Sequence, residues 1–210
     1  MNLPPKQDCP QALSAARAAI KGGDAARALQ LLRDLALPTD DATRQIQYAR
    51  LARPLSECCA DLPVLRVAFL ASATLEHWVD CLRFWLLLEG FRLEPLIVPF
   101  GTWRQQVVDP GSPVYASHPD VVWFFLTAGE LQLGTGMGSV AGADAALAEI
   151  GKQLVMVSSR LPALLVVNNL PASADRIYGN LEATLPGSPA AGIVRFNAAL
   201  AAALPSGAAM

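Results

Sequence analysis

The order of apolar and polar positions divides the chain near residue 60. In QALSAARAAIKGGDAARALQLLRDLA, residues 11–36, alanines and leucines recur at helical spacing. The run breaks only at Gly22-Gly23, and Asp24 is placed to cap a second helix. This pattern predicts a helical hairpin. Its small residues before the turn and its Ala-Leu-Leu stripe after it resemble one tetratricopeptide unit, and a lone unit packs on its neighbour. A third helix is expected from a cap at Asp40 or Asp41 to about Pro54, with Tyr48, Leu51 and Leu55 on its apolar face. The stretch from Glu57 to Pro63 reads as a linker.

From Val64 the texture changes. VLRVAFL is a nearly continuous apolar strand, and LEHWVDCLRFWLLLEGF reads as a helix that closes near Gly90. Phe84, Trp85 and Leu86 to Leu88 lie at helical spacing and are assigned to the core. LEPLIVP is a second strand. A long turn-rich loop, FGTWRQQVVDPGSPVYASHPD, separates it from the strongly apolar strand VVWFFL. Helical composition from about Ala141 to Arg160 is followed by a fourth strand, ALLVVNN. A last helix in AGIVRFNAALAAAL implies a further return to the sheet. Apolar strands alternating with helices predict a parallel sheet covered on both faces, with its ligand site at the carboxyl ends of the strands. Those ends are Ala71 to Thr74, Pro99 to Arg104, Thr127 to Glu130 and Asn168 to Leu170. The expected division is a helical leader over 1–60, an α/β domain over 64–204 and a tail over 205–210.

Composition narrows the function classes. With 53% apolar and 16% charged residues in 210, the chain is suited to one large core rather than to disorder. A net charge of −2 provides no clustered basic surface for nucleic acid. The start, MNLPPKQDCP, has neither the cationic nor the apolar region of a signal peptide, and no apolar run reaches the roughly 18 residues that span a bilayer. A cytoplasmic location and no membrane partner are expected. Cys9, Cys58, Cys59 and Cys81 form no paired CxxC modules and read as reduced thiols. His77 and His118 lack the spacing of a metal pair, so neither a metal nor another cofactor is expected.

The stretch from LRVAFLASATLEHW through PFGTWRQQVVDPGSPVYASHPDVVWFFL resembles the FkbH family, a branch of the haloacid-dehalogenase-like superfamily. Tyr178-Gly179-Asn180-Leu181-Glu182 and Asn197-Ala198-Ala199-Leu200 are weaker echoes. The likeness covers roughly 64–203. It implies a flavodoxin-like, SGNH-hydrolase-like α/β/α fold, corresponding to the amino-terminal part of that family. Such proteins take a glyceryl unit from 1,3-bisphosphoglycerate and deliver it to an acyl carrier protein in polyketide pathways. Their phosphoryl chemistry belongs to a carboxyl-terminal domain with an Asp-x-Asp motif, and that motif does not occur in this sequence. The partners implied are an acyl carrier protein or synthase subunit, and a separate HAD-type domain.

Ser72 is the first catalytic candidate, because SGNH-type hydrolases hold their nucleophile in the turn after the first strand. That class also needs a histidine base with an aspartate a few residues before it, and neither residue type follows Asp175. The stretch LTAGEL offers Gly129 for an oxyanion site but no asparagine. The alternative is that Ser72 is a turn residue bonded to backbone. His77, three residues after Thr74, reads as a capping or partly exposed residue. Thr74, Arg104, Gln105 and Asp109 are candidate ligand contacts. Trp103 and Gln106 complete the polar part of that loop, where Arg104 either forks onto a phosphate or carboxylate or bonds Asp109. Asn168 and Asn169 face the expected cleft edge as ligand contacts or as satisfiers of loop backbone. Gly134 to Gly138 lacks the Lys-Ser/Thr ending of a phosphate loop and reads as a connector. Three roles remain open: a partner-binding accessory domain, a serine esterase or acyltransferase, and a scaffold whose leader docks a synthase subunit.

Overall fold

The computed structural model describes residues 9–131, 133, 141–172, 178–182, 184–204 and 208–209. In chain order the helices of the amino-terminal part are α1 (Cys9–Lys21), α2 (Ala25–Leu35), α3 (Ala42–Ala52) and the one-turn α4 (Leu55–Cys58). Then come β1 (Val64–Ala71), α5 (Glu76–Leu88), β2 (Arg92–Ile97), α6 (Trp103–Val108) and α7 (Pro113–Ala116). The remainder is β3 (Val121–Phe125), α8 (Ala128–Leu131), α9 (Ala141–Arg160), β4 (Leu164–Val167), a 3-10 turn (Gly179–Leu181), α10 (Pro189–Ala203) and β5 (Ala208–Ala209). Packing groups these into two units, Met1–Leu65 with Leu75–Glu94, and Arg66–Thr74 with Pro95–Met210.

The first unit is built from the leader and α5. Asp24 caps α2 by accepting the Arg27 N–H at 3.0 Å, and Asp41 caps α3 by accepting that of Arg44 at 3.0 Å. Gly90, at φ 84°, ends α5 in a Schellman pattern, with Phe91 N–H on the Leu86 carbonyl and Gly90 N–H on that of Leu87. Ala28 and Leu32 of α2, Tyr48 and Ala52 of α3, Leu55 of α4, and Phe84, Leu87 and Leu88 of α5 form one apolar core. Tyr48 stacks on Phe84 at 5.6 Å, and Arg33 donates to the Leu88 carbonyl. Asp40, the other cap candidate, accepts the Leu37 N–H and the Tyr48 hydroxyl, each at 3.0 Å, with Arg44 at 3.4 Å.

The Leu37 amide chiefly, then Tyr48 and Arg44, hold the Asp40 carboxyl below its ordinary value against a smaller upward push from burial. A carboxyl lowered in the folded state stabilises it above the unfolded pKa, and that stabilisation is lost as pH falls through the folded value. The stability gap between wild type and Asp40→Asn is therefore expected to be full near pH 6 and to narrow as pH falls below the ordinary carboxylate range, as read by urea unfolding across that range. A gap independent of pH overturns this role.

In the second unit the sheet is parallel, with strand order β2-β1-β3-β4-β5. Val67 pairs with Val121 and Ala71 with Phe125, while Val121 lies opposite Leu164. Flanking helices make this a three-layer α/β fold. Within β1, Ala68 and Leu70 enter a core with Trp103, Phe124, Ile150 and Phe196. Alternation sends Val67 and Phe69 to the opposite face, where they are buried too and Phe69 stacks on Trp123 at 6.0 Å. Ser188 caps α10, accepting the Ala191 N–H at 3.1 Å, and Pro189 takes the first helical position. Arg195 of α10 forks onto Asp144 of α9 at 2.6 and 2.9 Å, lowering the carboxyl and raising the guanidinium.

Three local expectations need correction. The linker from Glu57 begins inside α4. The stretch expected to be a turn-rich loop folds into α6 and α7, because Trp103 and Val107 at i,i+4, and Val114 with Tyr115, bury apolar surface that outweighs the surrounding turn residues. Ala208 and Ala209, expected in a tail, pair with Leu165 and Val166 as the edge strand. Gly134 to Gly138 lie outside the described residues. No helix among the described residues is long and apolar enough to cross a membrane.

Candidate functional site

Strand order 2-1-3-4-5 reverses direction at β1 and β3, and in such sheets ligands bind outside the carboxyl ends at that reversal. Ser72 follows β1 there and is 7% exposed. Its Oγ accepts the Thr127 N–H at 2.9 Å and lies 3.1 Å from the Thr127 hydroxyl, while the Ser72 N–H donates to the Phe125 carbonyl at 3.0 Å. Neither oxygen partner is a base, so nothing among these contacts takes the serine proton. His118 precedes the amino end of β3, so a strand of about 16 Å separates it from the carboxyl edge. His77 is exposed on α5.

Arg104, in the first turn of α6, pairs with Glu130 of α8, and its guanidinium lies 4.4 Å from the centre of the Trp103 ring. The loop-internal bond to Asp109 is thus replaced by a partner after β3. Asp109 closes its own turn, accepting the Gly111 N–H at 2.9 Å. Thr74, Gln105 and Asn169 are exposed. Asn168 acts as an extra backbone pair: its Oδ1 accepts the Leu126 N–H at 2.8 Å and its Nδ2 donates to the Leu126 carbonyl at 3.0 Å. Asn197 of α10 does the same for Leu170, at 2.9 and 2.8 Å.

The segment Leu126–Glu130 is therefore the hub. Ser72 after β1, Arg104 after β2 and Asn168 after β4 each bond to a different residue in it. Sequence reasoning named those three as candidates and placed Thr127 to Glu130 at the carboxyl edge, but gave neither Thr127 nor Glu130 a role. Their signal was small: one hydroxyl and one carboxylate directly behind the most apolar strand.

The first unit holds a cavity of about 640 Å³, lined mainly by Pro38, Ile46, Trp78, Cys81, Leu82 and Trp85. Of its polar lining groups, Asp40 is engaged by Tyr48, and Gln45 accepts the Trp85 indole N–H at 2.9 Å. Burial, aided by Asp80, raises the Cys81 thiol, and burial also raises Cys59, so both stay protonated and weakly nucleophilic at neutral pH. Among the described residues no group of three His, Cys, Asp or Glu side chains is placed to hold a metal ion.

Fold and carboxyl-edge geometry define a doubly wound α/β domain of the flavodoxin-like order. No family model matches the chain, and no curated protein matches it. Among solved structures it is similar to the N-terminal part of protein BF1531 from Bacteroides fragilis, which contains a phosphatase domain and is complexed with Mg. The TM-score is 0.60 at 15% identity, over 78% of this chain and 42% of that one, so the chain spans less than half of that structure and shares its fold.

Proposed function

We propose that this chain is an accessory α/β domain of the FkbH-like kind, which binds an acyl carrier protein or a partner catalytic domain in the forming or delivery of glyceryl units for polyketide biosynthesis. It performs no serine chemistry itself. The observation that carries this reading is the Ser72 hydroxyl, mostly buried and engaged by Thr127, with no base bonded to it among the described residues. A serine so placed ties β1 to β3 rather than attacking a substrate. The fold shared with the N-terminal part of a protein that contains a phosphatase domain supports the same reading.

The test pairs reactivity with binding. Intact-mass analysis after incubation with a fluorophosphonate probe is expected to show no adduct on folded wild type. An adduct that disappears in Ser72→Ala overturns the reading in favour of an SGNH-type esterase or acyltransferase. Calorimetry with a glyceryl-loaded acyl carrier protein, and with a separate phosphatase-type domain, is expected to show saturable binding to one of them without turnover. Binding to neither overturns the accessory role.

A further inference from the structure

Helix α5 carries apolar residues on two faces. Phe84, Leu87 and Leu88 close the core of the first unit, while Trp78, Cys81, Leu82 and Trp85, spaced i, i+3, i+4 and i+7, line the cavity that α5 forms with the start of α3 and the turn before it. The space over this second stripe is about 640 Å³, within the range of small-molecule sites. Its wall is pinned in advance. Gln45 accepts the Trp85 indole N–H at 2.9 Å and donates to the Leu37 carbonyl at 3.0 Å, which ties α5, α3 and the preceding turn to one another. An indole fixed in this way loses little freedom when a ligand arrives.

The polar lining groups set the ligand class. Gln45 is engaged through both its oxygen and its amide, and the Cys81 thiol stays protonated, so a molecule with many polar groups would leave them unpaired here. Asp40 is the exception, with its side chain 8% exposed. Its Oδ2 accepts the Leu37 N–H and the Tyr48 hydroxyl, whereas its Oδ1 meets Arg44 at 3.4 Å, a long contact that leaves acceptor capacity. Arg44 is shared with a second carboxylate, Asp41, and no lysine or arginine is among the described residues that line the cavity, so this end is negative. We propose that the cleft between α3 and α5 binds a small molecule with an apolar body and one ammonium group, the body against Ile46, Trp78, Leu82 and Trp85 and the ammonium on Asp40. The same charge turns away a carboxylate-headed molecule of equal size. This gives the first unit a ligand site of its own, and it does not depend on the partner-binding reading above.

The probes are octylammonium, octanol and octanoate, one tail with three heads, each titrated into the full chain by calorimetry. Octylammonium is expected to bind, octanol to bind about fivefold more weakly and octanoate not measurably. Bound octylammonium is expected to slow alkylation of Cys81 by N-ethylmaleimide, mapped by peptide mass, and to leave the exposed Cys58 unchanged. Ala42→Trp sets a ring into the cleft from an exposed position at the start of α3, and is expected to abolish binding of octylammonium and octanol alike. Asp40→Asn is expected to equalise the ammonium and the alcohol. Because Asp40 also bonds Tyr48, thermal melts check that this variant is folded, and the ranking of heads on wild type stands without it. Equal affinity for all three heads, a preference for octanoate, binding that survives Ala42→Trp, Cys81 unprotected at saturation, or neither heat nor protection up to the solubility limit each overturns the proposal.

Discussion

Trp103→Ala is expected to lower stability by about 3–5 kcal/mol, the largest effect of any single substitution considered for this chain. The ring is fully buried, stands edge-on to Phe124 at 6.1 Å and an interplanar angle of 82°, and lies in the same core as Val107, Val122 and Leu154. Truncation removes its apolar surface and leaves a cavity that β3 and α9 cannot both move to fill. Trp103→Phe separates packing from polarity. The indole N–H has no acceptor among the described residues, so the smaller ring discards an unpaired donor along with some volume. A loss of under about 2 kcal/mol is expected for it. Urea unfolding monitored by circular dichroism reads both, and equal losses would mean that the ring contributes mainly through its nitrogen.

Gly192→Ala tests a close approach in which two effects oppose each other. Helix propensity favours alanine by about 1 kcal/mol in a helix interior. A methyl at 192, however, would stand 2.7 Å from the Leu133 carbonyl oxygen and 3.1 Å from its Cβ, and the obstruction is backbone. Steric cost is expected to win, with a net loss of about 1–3 kcal/mol. Gly151 on α9 is the control: nothing lies within 4 Å of its added methyl, so Gly151→Ala is expected to stabilise by up to about 1 kcal/mol. Thermal melts that shift the same way for both would show that α10 does not press on Leu133.

The parts of this fold that were legible in the sequence are those whose signal is local. VLRVAFL became β1, Gly90 ended α5, Asp24 and Asp41 capped α2 and α3, and Ala141 to Arg160 formed α9 over the expected span. Long periodic segments carry their own answer, because burial of one face and the capping bonds are decided within a few residues. A return to the sheet after the last helix was expected, but the residues of β5 could not be read, since two alanines have no strand pattern and become a strand only by pairing with β4. α6 and α7 were masked by Pro110, Gly111 and Pro113, although Trp103 and Val107 were already at helical spacing. At the carboxyl edge the candidates were legible and their partners were not. Glu130 is 26 residues from Arg104, and Thr127 is 55 from Ser72, distances at which only the sheet order decides what meets.

The place of α5 in the first unit limits how this chain can be cut. It lies between β1 and β2 in sequence, yet Phe84, Leu87 and Leu88 complete the apolar core of α1 to α4. A chain started at residue 64 would turn that face of α5 to water, and a fragment stopped at residue 63 would lose the same three side chains from its centre. Each such residue represents about 1.5–3 kcal/mol of burial, so neither fragment inherits a closed interior. The boundary visible in the composition is therefore not a seam for genetic recombination: a leader exchanged between relatives would have to travel with a helix encoded inside the neighbouring domain.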